Sequence, residues 1–332
     1  MNSKVVCPIF IIGFGRSGTK LLRSILNNHT LINIPDIETN FLPLWAAKWD
    51  SYGDLSKREN FHSFYKEVIQ YPYFYYMKKK EQLIDEDEWY RRSGDYSLSQ
   101  IYEALILFHI NDSTNGDLIW GDKSPSYISH MDLLKELFPQ AKFIHIVRDV
   151  RDSCISSHKA WGTSRLRMVQ RWTDSLPKPR LAAKNFPMDY IEVFYENLIT
   201  NPEKELTNIF SFMGLDYEPE VLLSINTGEK KGDAKNLNKI KKDNKHKYKM
   251  ELSEKQIRKI ESIAGNVLKQ YGYSINYQGV QKPLSSVSLW VFRIYDGFQH
   301  IYRRVRGQGV KSTLNFVWKF FKQNRASENL TK

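Results

Sequence analysis

The sequence predicts an α/β fold with a central parallel sheet and helices on both faces of that sheet. Two observations lead to this prediction. Short apolar runs alternate with segments of helical periodicity, and the first apolar run ends in a glycine-rich turn. Because the runs are continuously apolar, each is typical of a strand that is buried on both faces. The 332 residues, 41% of them hydrophobic, are enough to form a sizeable core.

The predicted elements follow one another in a regular order. "PIFIIGF" is the first strand, and Leu21, Leu22, Ile25 and Leu26 then recur at helical spacing. Residues 41–110 are predicted to be helical and are rich in Tyr, Phe and Trp. Further strands are predicted at "DLIW", "AKFIHIV" and "DYIEVFY". Such alternation favours a parallel sheet with crossover helices.

The C-terminal third begins with a loop and an amphipathic helix. Residues 227–249 are rich in lysine and asparagine and are predicted to form a loop. "LSEKQIRKIESIAGNVLKQYGY" is predicted to be a helix, with Ser253 as its N-cap and Gly272 just past its end.

The formal charge of +12 is concentrated in two stretches. Nine lysines accompany three acids in residues 229–249, and nine Lys or Arg accompany two acids in residues 283–332. The rest of the chain is near neutral, so we expect no nucleic-acid binding. Apolar residues recur at helical spacing on both sides of "GQG" in the tail. Such helices are typical of a membrane surface or an acidic partner, and docking on the protein body is the alternative.

The chain has two cysteines, Cys7 and Cys154, which lie far apart in sequence. They provide neither a disulfide framework nor a cluster of metal ligands, which favours a reducing compartment. No apolar run is long enough to span a bilayer, and no secretory signal is visible. We therefore expect a cytoplasmic protein.

The turn after the first strand nearly matches the Walker pattern G-x-x-x-x-G-K-[ST]. Gly13 and Gly18 have the required spacing, but Thr19 precedes Lys20, so the order of hydroxyl and lysine is reversed. A glycine-rich turn before a helix directs backbone N–H groups at an anion. The pattern favours a P-loop-like phosphate site that lacks the Walker lysine and the Mg²⁺-binding hydroxyl. A purely structural turn is the alternative.

A second anion site is predicted at "FIHIVRDVRDSCISS". Arg148 ends a strand, and Ser156 lies one to two helical turns into the next element. An arginine fork with a hydroxyl suits a terminal phosphate monoester. Two phosphate sites at neighbouring strand ends indicate a nucleotide that is phosphorylated at both ends of its ribose.

These two motifs, in this order, resemble those of sulfotransferases that use 3′-phosphoadenosine 5′-phosphosulfate (PAPS). The resemblance extends through "WGDKSPSY", "VFYENLITNPEKELTNIFSFMGL" and "KYKMELSEKQIRKIESIAGNVLKQYGY", and covers most of residues 8–273. The likeness is to bacterial members and to tyrosylprotein sulfotransferases. It implies a P-loop-like three-layer fold, PAPS as co-substrate, no metal, and sulfuryl transfer to an acceptor hydroxyl.

The resemblance implies roles for individual residues. Glu38 is the expected catalytic base, Lys123 assists the transferring sulfuryl group, and Arg16 contacts the bridging oxygen and the leaving phosphate. The residues implied to hold the nucleotide are Arg16, Ser17, Gly18, Thr19, Lys20, Arg148, Ser156, Tyr195, Lys245 and Lys247.

Alternatives remain at several of these positions. Asp36 is a rival base, and Glu38 is alternatively a cap for the helix that starts near Phe41. Lys123 is alternatively a simple partner of Asp122. For the whole protein, the alternatives are a P-loop kinase-like transferase, or an inactive protein that binds a nucleotide or a sulfated glycan.

The acceptor and the domain organisation complete the sequence predictions. We expect a sulfotransferase domain over residues 1–277, in which the insertion 41–110 forms the acceptor side, and a basic amphipathic helical tail over 278–332. The aromatic section and the basic tail favour a hydroxyl on a glycan, a lipid-linked glycan or a lipid at the inner membrane face, over a small molecule. Peripheral membrane contact is expected through the tail, and the oligomeric state is not predicted. Aromatic side chains that could supply flat faces for the acceptor are Tyr71, Tyr73, Phe74, Tyr75, Tyr76 and Trp89. Ordinary helix packing is the alternative, and it is favoured for any single one of them.

Overall fold

The computed structural model describes residues 7–110, 118–229 and 238–328, which fall into two compact units. The first unit contains residues 7–110, 118–149, 174–229 and 238–245. The second unit contains residues 150–173 and 246–328.

Five parallel strands form one sheet in the first unit. They are β1 (Ile9–Gly13), β2 (Ile32–Asn33), β3 (Ile119–Asp122), β4 (Lys142–Val147) and β5 (Tyr190–Phe194). Their order across the sheet is β2-β3-β1-β4-β5. Ile9 of β1 is paired with Gly121 on one side and Lys142 on the other. The four predicted strands are confirmed, whereas the two-residue β2 carries too short an apolar signal to be predicted.

The described chain contains α-helices of very different lengths. They are α1 (Thr19–Leu26), α2 (Leu42–Lys48), α3 (Arg58–Val68), α4 (Pro72–Lys79), α5 (Glu86–Arg92), α6 (Leu98–His109), α7 (Met131–Leu137), α8 (Val150–Trp161), α9 (Arg165–Ser175), α10 (Lys178–Ala182), α11 (Tyr195–Thr200), α12 (Pro202–Met213), α13 (Tyr248–Glu251), α14 (Glu254–Gln270) and α15 (Ser286–Glu328). Short 3₁₀ helices cover Trp49–Tyr52, Pro125–Ser129, Ala183–Asn185, Pro187–Asp189 and Pro219–Leu222.

Strand β1 shows that the sheet is covered on both faces. Phe10 and Ile12 point into one apolar core, which they share with α2 to α7. Ile9 and Ile11 point into a second core, which they share with α1, α11 and α12. Alternate side chains of one strand lie on opposite faces of a sheet. The predicted three-layer α/β fold is therefore confirmed.

Residues 41–110 are helical as predicted, and most of their aromatic side chains pack inward. Phe74 and Trp89 are fully buried and Tyr73 is nearly so, so these rings belong to the core rather than to an acceptor surface. Tyr75 and Tyr76 are exposed, at 52% and 54%. The alternative of ordinary helix packing is thus confirmed for the buried rings, because an amphipathic helix buries one aromatic face.

In the second unit, α8 is held by a buried ion pair. Nη1 of Arg151 lies 2.6 Å from Oε1 of Glu261 on α14, and both side chains are almost fully buried. The N–H of Tyr248 donates to Asp152 at 2.9 Å. Tyr248 starts α13, a single turn of helix inside the segment predicted to be a loop.

The predicted helix after residue 252 is confirmed as α14. The Ser253 side chain accepts from the N–H of Gln256, and the Gln256 side chain accepts from the N–H of Ser253, which forms a capping box. Gly272 follows the helix with φ of +77°, as a C-terminal glycine does.

The tail forms α15, which is interrupted at Gly309, where φ is +78°. Its first half exposes large apolar side chains, among them Trp290 at 64% and Phe298 at 69%. No helix in the described ranges is both long and apolar enough to cross a membrane. Among the apolar residues predicted on the C-terminal side of "GQG", Leu314, Val317, Phe320 and Phe321 have side chains that the structure does not describe.

Candidate active site

The glycine-rich turn joins β1 to α1, at the edge of the sheet where the strands end. Gly18 is the residue before α1 and has φ of +100°, a conformation that L side chains rarely adopt. A Cβ atom at Gly18 would also overlap the ring of Tyr195. Glycine is therefore required here both by the backbone conformation and by the close packing of Tyr195.

Two cations of this loop converge on one carboxylate. Nη1 of Arg16 lies 2.6 Å from Oε2 of Glu229, and Nζ of Lys20 lies 3.5 Å from the same oxygen. The side chains of Arg16 and Glu229 are 8% and 10% exposed. Arg16 itself has φ of +71°. Arg16 and Lys20 thus form a cationic cradle, and this cradle holds the carboxylate of Glu229.

Arg148, at the end of β4, is oriented by its neighbours in the first unit. Its guanidinium donates to the carbonyl oxygen of Arg16 at 3.1 Å and to that of Asn244 at 3.0 Å. It also lies 4.2 Å from the centre of the Tyr195 ring, within the range of a cation–π contact. The Asn244 side chain donates to the Tyr195 hydroxyl at 2.6 Å. Tyr195 therefore supports both the loop and Arg148.

Two buried polar atoms around the loop are available to a bound ligand. The Ser17 hydroxyl and Nε of Arg148 are buried and have no hydrogen-bond partner among the described residues. A buried donor without a partner costs free energy, about 1–3 kcal/mol, unless a ligand or water satisfies it. The donors and the cationic cradle fit the phosphate groups of a nucleotide.

A second pair of charged groups lies at the end of β3. Nζ of Lys123 is 2.5 Å from Oε1 of Glu38, and Nδ2 of Asn40 donates to Oε2 of Glu38 at 3.3 Å. The Lys123 side chain is 1% exposed, whereas that of Glu38 is 35% exposed. Burial lowers the pKa of Lys123, and the charge of Glu38 opposes that shift. Glu38 is therefore a carboxylate fixed by two donors and still accessible to a substrate.

A buried hydroxyl network holds the two segments that carry this pair. Asp122 accepts hydrogen bonds from Thr39, Tyr102 and Ser124. Burial raises the pKa of Asp122, and these three donors oppose the rise. Because Thr39 adjoins Glu38 and Asp122 adjoins Lys123, the network fixes the geometry between the carboxylate of Glu38 and the ammonium ion of Lys123.

The rival base, Asp36, has a different partner. Its carboxylate lies 2.7 Å from Nζ of Lys80 at the protein surface. Although partial burial acts to raise the pKa of Asp36, the hydrogen bond and charge of Lys80 outweigh burial and lower it. Asp36 is thus engaged with Lys80, whereas Glu38 is engaged with Lys123.

Arg23, on α1, is a buried cation that the sequence analysis missed. It is 6% exposed, and its Nε has no hydrogen-bond partner among the described residues. Burial lowers its pKa, and the charges of Asp36 and Glu38 raise it. The signal in the sequence is an arginine between Leu22 and Ile25, on the apolar side of an amphipathic helix.

The remaining predicted site residues lie in both units. Lys245, in the first unit, donates to Thr200 Oγ1 at 2.7 Å. Thr19 begins α1 and is buried. Ser156 is the seventh residue of α8 in the second unit and is buried, and Lys247 precedes α13 in that unit. Within the described ranges, no group of three or more His, Cys, Asp or Glu could hold a metal ion.

Two examples illustrate the relatives that this chain resembles in sequence. A putative protein-tyrosine sulfotransferase of Caenorhabditis briggsae is 25% identical over 232 residues, which are 64% of this chain and 68% of the relative. The omega-hydroxy-beta-dihydromenaquinone-9 sulfotransferase Stf3 of Mycobacterium bovis is 33% identical over 114 residues, which are 29% of each protein. The chain therefore spans under a third of the mycobacterial relative.

A structural comparison and a family comparison agree with these sequence similarities. The sulfotransferase domain of the Synechococcus PCC 7002 olefin synthase has a TM-score of 0.56 to this protein at 22% identity, and the match covers 83% of this chain and 98% of that domain. It shows a shared fold. Residues 8–219, which include the loop, Glu38, Lys123 and Arg148, match the sulfotransferase family. The chain therefore belongs to the sulfotransferase family.

Proposed function

We propose that this protein transfers the sulfuryl group of PAPS to a hydroxyl group of an acceptor. The observation that carries the proposal is the contact between Glu38 and the buried ammonium ion of Lys123. This pair follows β3, the strand next to β1, and the cationic cradle follows β1. Parallel strands end at one edge of a sheet, where α/β proteins bind their ligands.

Each charged residue has a proposed role in the transfer. PAPS supplies the sulfuryl group that is transferred, and adenosine 3′,5′-bisphosphate is the leaving group. Glu38 accepts the proton of the acceptor hydroxyl, because an unactivated alcohol is a poor nucleophile. Arg16 and Lys123 stabilise the negative charge that develops during an in-line displacement. The cations of the chain supply this stabilisation, so we expect the reaction to need no metal ion.

The nucleotide is proposed to bind along the loop and at the end of β4. Ser17, Gly18, Thr19 and Lys20 hold the 5′-phosphate, and Arg148 holds the 3′-phosphate. The buried, unpaired donors of Ser17 and Arg148 support this orientation. Ser156, Lys245 and Lys247 remain proposed ligands of the 3′-phosphate, and Tyr195 is proposed to lie beside the nucleotide as well as to support Arg148.

The acceptor is proposed to be a hydroxyl on a glycan, a lipid-linked glycan or a lipid. The names of the two relatives specify different acceptors, a protein tyrosine and a hydroxylated dihydromenaquinone, so family membership alone does not identify the acceptor. In this chain, Tyr75 and Tyr76 are exposed rings in the proposed acceptor insertion. Flat aromatic faces of this kind pack against sugar rings or apolar chains.

The proposed location is the cytoplasm, at the inner face of the membrane. The first half of α15 exposes Trp290 and Phe298 and also carries Arg293, Arg303 and Arg304. Aromatic and cationic side chains on one helix are typical of peripheral contact with an anionic membrane. The proposed domain division places this contact in the tail, residues 278–332.

The test is transfer of ³⁵S from labelled PAPS into fractions of a cell extract. Purified wild-type protein and Glu38→Gln are compared, and lipid, polysaccharide and small-molecule fractions are counted separately. We expect label in the lipid or polysaccharide fraction with the wild type, and little with the variant. Label confined to small soluble metabolites would contradict the proposed acceptor, and no transfer to any fraction would contradict the proposed reaction.

A further inference from the structure

A groove of about 530 Å³ lies within the second unit, and none of the residues that line it has a proposed role in the transfer. It is formed by the first turns of α14, the segment 158–166 and the early part of α15. Leu166, Ile260 and Phe292 provide apolar walls. A groove of this size with mostly apolar walls is typical of a ligand site.

The polar side chains that line this groove are cationic or neutral. Arg165, Lys255 and Lys259 line it, and none of its lining residues is an acid. Nε of Arg165 is buried and has no hydrogen-bond partner within the described parts of the chain. Lys255 and Lys259 lie one helical turn apart near the N-terminus of α14, whose dipole adds to the positive potential. The groove therefore favours an anion with an apolar portion.

The acids near the groove do not compensate this charge, because each has its own partner. Asp296 of α15 accepts from Arg167 at 2.7 Å and from the N–H of Ser164 at 2.6 Å. Glu254, at the start of α14, pairs with Arg258 at 2.7 Å.

The groove is continuous with the exposed apolar face of α15. Val291 and Tyr295 line the groove and are 50% and 41% exposed. Trp290 and Phe298, on the same helix, are 64% and 69% exposed. An apolar surface of this kind, next to unpaired cationic charge, matches the interface of an anionic bilayer, where acyl chains lie beside phosphate groups.

We propose that this groove binds one anionic phospholipid of a membrane surface. An acyl chain lies against Leu166, Ile260 and Phe292, and the phosphate group lies among Arg165, Lys255 and Lys259. The inference extends the proposed membrane contact of α15 from a general surface to a specific lipid site. It does not depend on the sulfuryl-transfer reaction.

The first test measures co-sedimentation with vesicles of phosphatidylcholine alone and with vesicles in which half of the lipid is phosphatidylglycerol. The variant Lys255→Glu/Lys259→Glu is compared with Lys269→Glu/Lys282→Glu, which changes the net charge equally outside the groove. We expect the groove variant to bind the anionic vesicles about tenfold more weakly than the control variant does. If the wild type binds the anionic vesicles, equal binding by the two variants would overturn the lipid site. Circular dichroism of each variant checks that it is folded.

The second test separates the lipid site from membrane adsorption. Soluble dihexanoyl phosphatidylglycerol and dihexanoyl phosphatidylcholine are titrated by calorimetry at concentrations below micelle formation. We expect saturable binding of the phosphatidylglycerol at one site per chain, abolished in Lys255→Glu/Lys259→Glu. Its absence from the wild type would overturn the proposal. Binding of soluble lipid without binding of vesicles would support the site and contradict only the proposed membrane contact.

Discussion

The carboxylate of Glu229 lies 2.6 Å from the guanidinium group of Arg16, inside the cationic loop proposed to hold the 5′-phosphosulfate. Lys20 contacts the same carboxylate oxygen at 3.5 Å. A phosphate group bound by these two cations would compete with Glu229, because both are anions that need the same donors. Nucleotide binding is thus expected to require release of this internal anion.

Replacing Glu229 with glutamine is therefore expected to strengthen nucleotide binding. The variant keeps the size of the side chain but removes the charge that competes for Arg16. We expect adenosine 3′,5′-bisphosphate to bind about tenfold more tightly, equivalent to about 1.4 kcal/mol. Calorimetric titration of the two proteins measures the change. Glu220→Gln, which changes an exposed glutamate of the 3₁₀ helix Pro219–Leu222, is the control. Weaker binding by Glu229→Gln would show that Glu229 supports the loop instead.

Glu38→Gln is expected to lower turnover while nucleotide affinity stays unchanged. The amide retains the shape of the carboxylate but cannot accept the acceptor proton. Loss of a general base usually lowers the rate by about 10²-fold or more. Steady-state kinetics and titration with adenosine 3′,5′-bisphosphate measure the two effects separately. Asp36→Asn is the control, and a larger loss of turnover in that variant would transfer the role of base to Asp36.

The buried ammonium ion of Lys123 predicts a limit to activity at alkaline pH. Burial lowers the pKa of Lys123 from the ordinary lysine value of 10.5, so the charge is lost at a lower pH than in an exposed lysine. If turnover needs the ammonium ion, kcat should fall with rising pH below 10.5. The pH profile of kcat checks this.

The control for the pH limit is Lys123→Arg, because a guanidinium group keeps its charge throughout the accessible range. We expect this variant to be less active but to lose the alkaline fall in kcat. An identical fall in both proteins would assign the titration to another group.

The hydroxyl network around Asp122 predicts a coupled loss of stability and activity. Thr39→Val removes one of the three donors to this buried carboxylate. An unsatisfied buried acceptor costs about 1–3 kcal/mol of the free energy of unfolding. We expect denaturant unfolding to show this loss, and kcat to fall with little change in nucleotide affinity. Thr207→Val, on the surface of α12, is the control, and unchanged kcat in Thr39→Val would limit the network to a structural role.

The parts of the site that are local in sequence were predictable, and those made by distant contacts were not. The loop from Gly13 to Lys20 and the arginine at the end of β4 each follow a buried strand, and a buried strand has a clear apolar signal. Glu229 is 213 residues from Arg16, and nothing in a lysine-rich segment indicates which loop the acid at its start will meet.

The aromatic insertion shows a second limit of sequence patterns. Composition alone indicated that aromatic faces were available to an acceptor, but Phe74 stacks on Trp45 in the core and Trp89 packs against Trp45 at a tilt. The helical period distinguishes buried from exposed rings only when it is known which face of each helix points inward. Helices α4 and α5 span only eight and seven residues, which is too short for the sequence pattern to show that face. Of the aromatic residues considered for the acceptor surface, Tyr75 and Tyr76 are the exposed pair.

Arg148→Ala is expected to weaken binding of nucleotides that carry a 3′-phosphate. Loss of a charge-assisted pair costs about 2 kcal/mol. Binding of adenosine 5′-phosphosulfate, which has no 3′-phosphate, should be little affected. Titration of both nucleotides into both proteins measures this difference, with Arg58→Ala on α3 as a surface control. An equal loss for the two nucleotides would mean that Arg148 supports the Arg16 loop rather than the 3′-phosphate.

The most direct test of the central claim, that this site is built for PAPS, compares adenosine 3′,5′-bisphosphate with ATP and Mg²⁺ as stabilising ligands. The melting temperature of the wild-type protein is measured with each nucleotide over the same range of concentrations, because a ligand that binds only the folded state raises it. The account predicts a clear rise with adenosine 3′,5′-bisphosphate in the absence of any metal ion, and a smaller rise or none with ATP and Mg²⁺. Stabilisation by ATP with Mg²⁺ alone would contradict it and favour a kinase-like transferase.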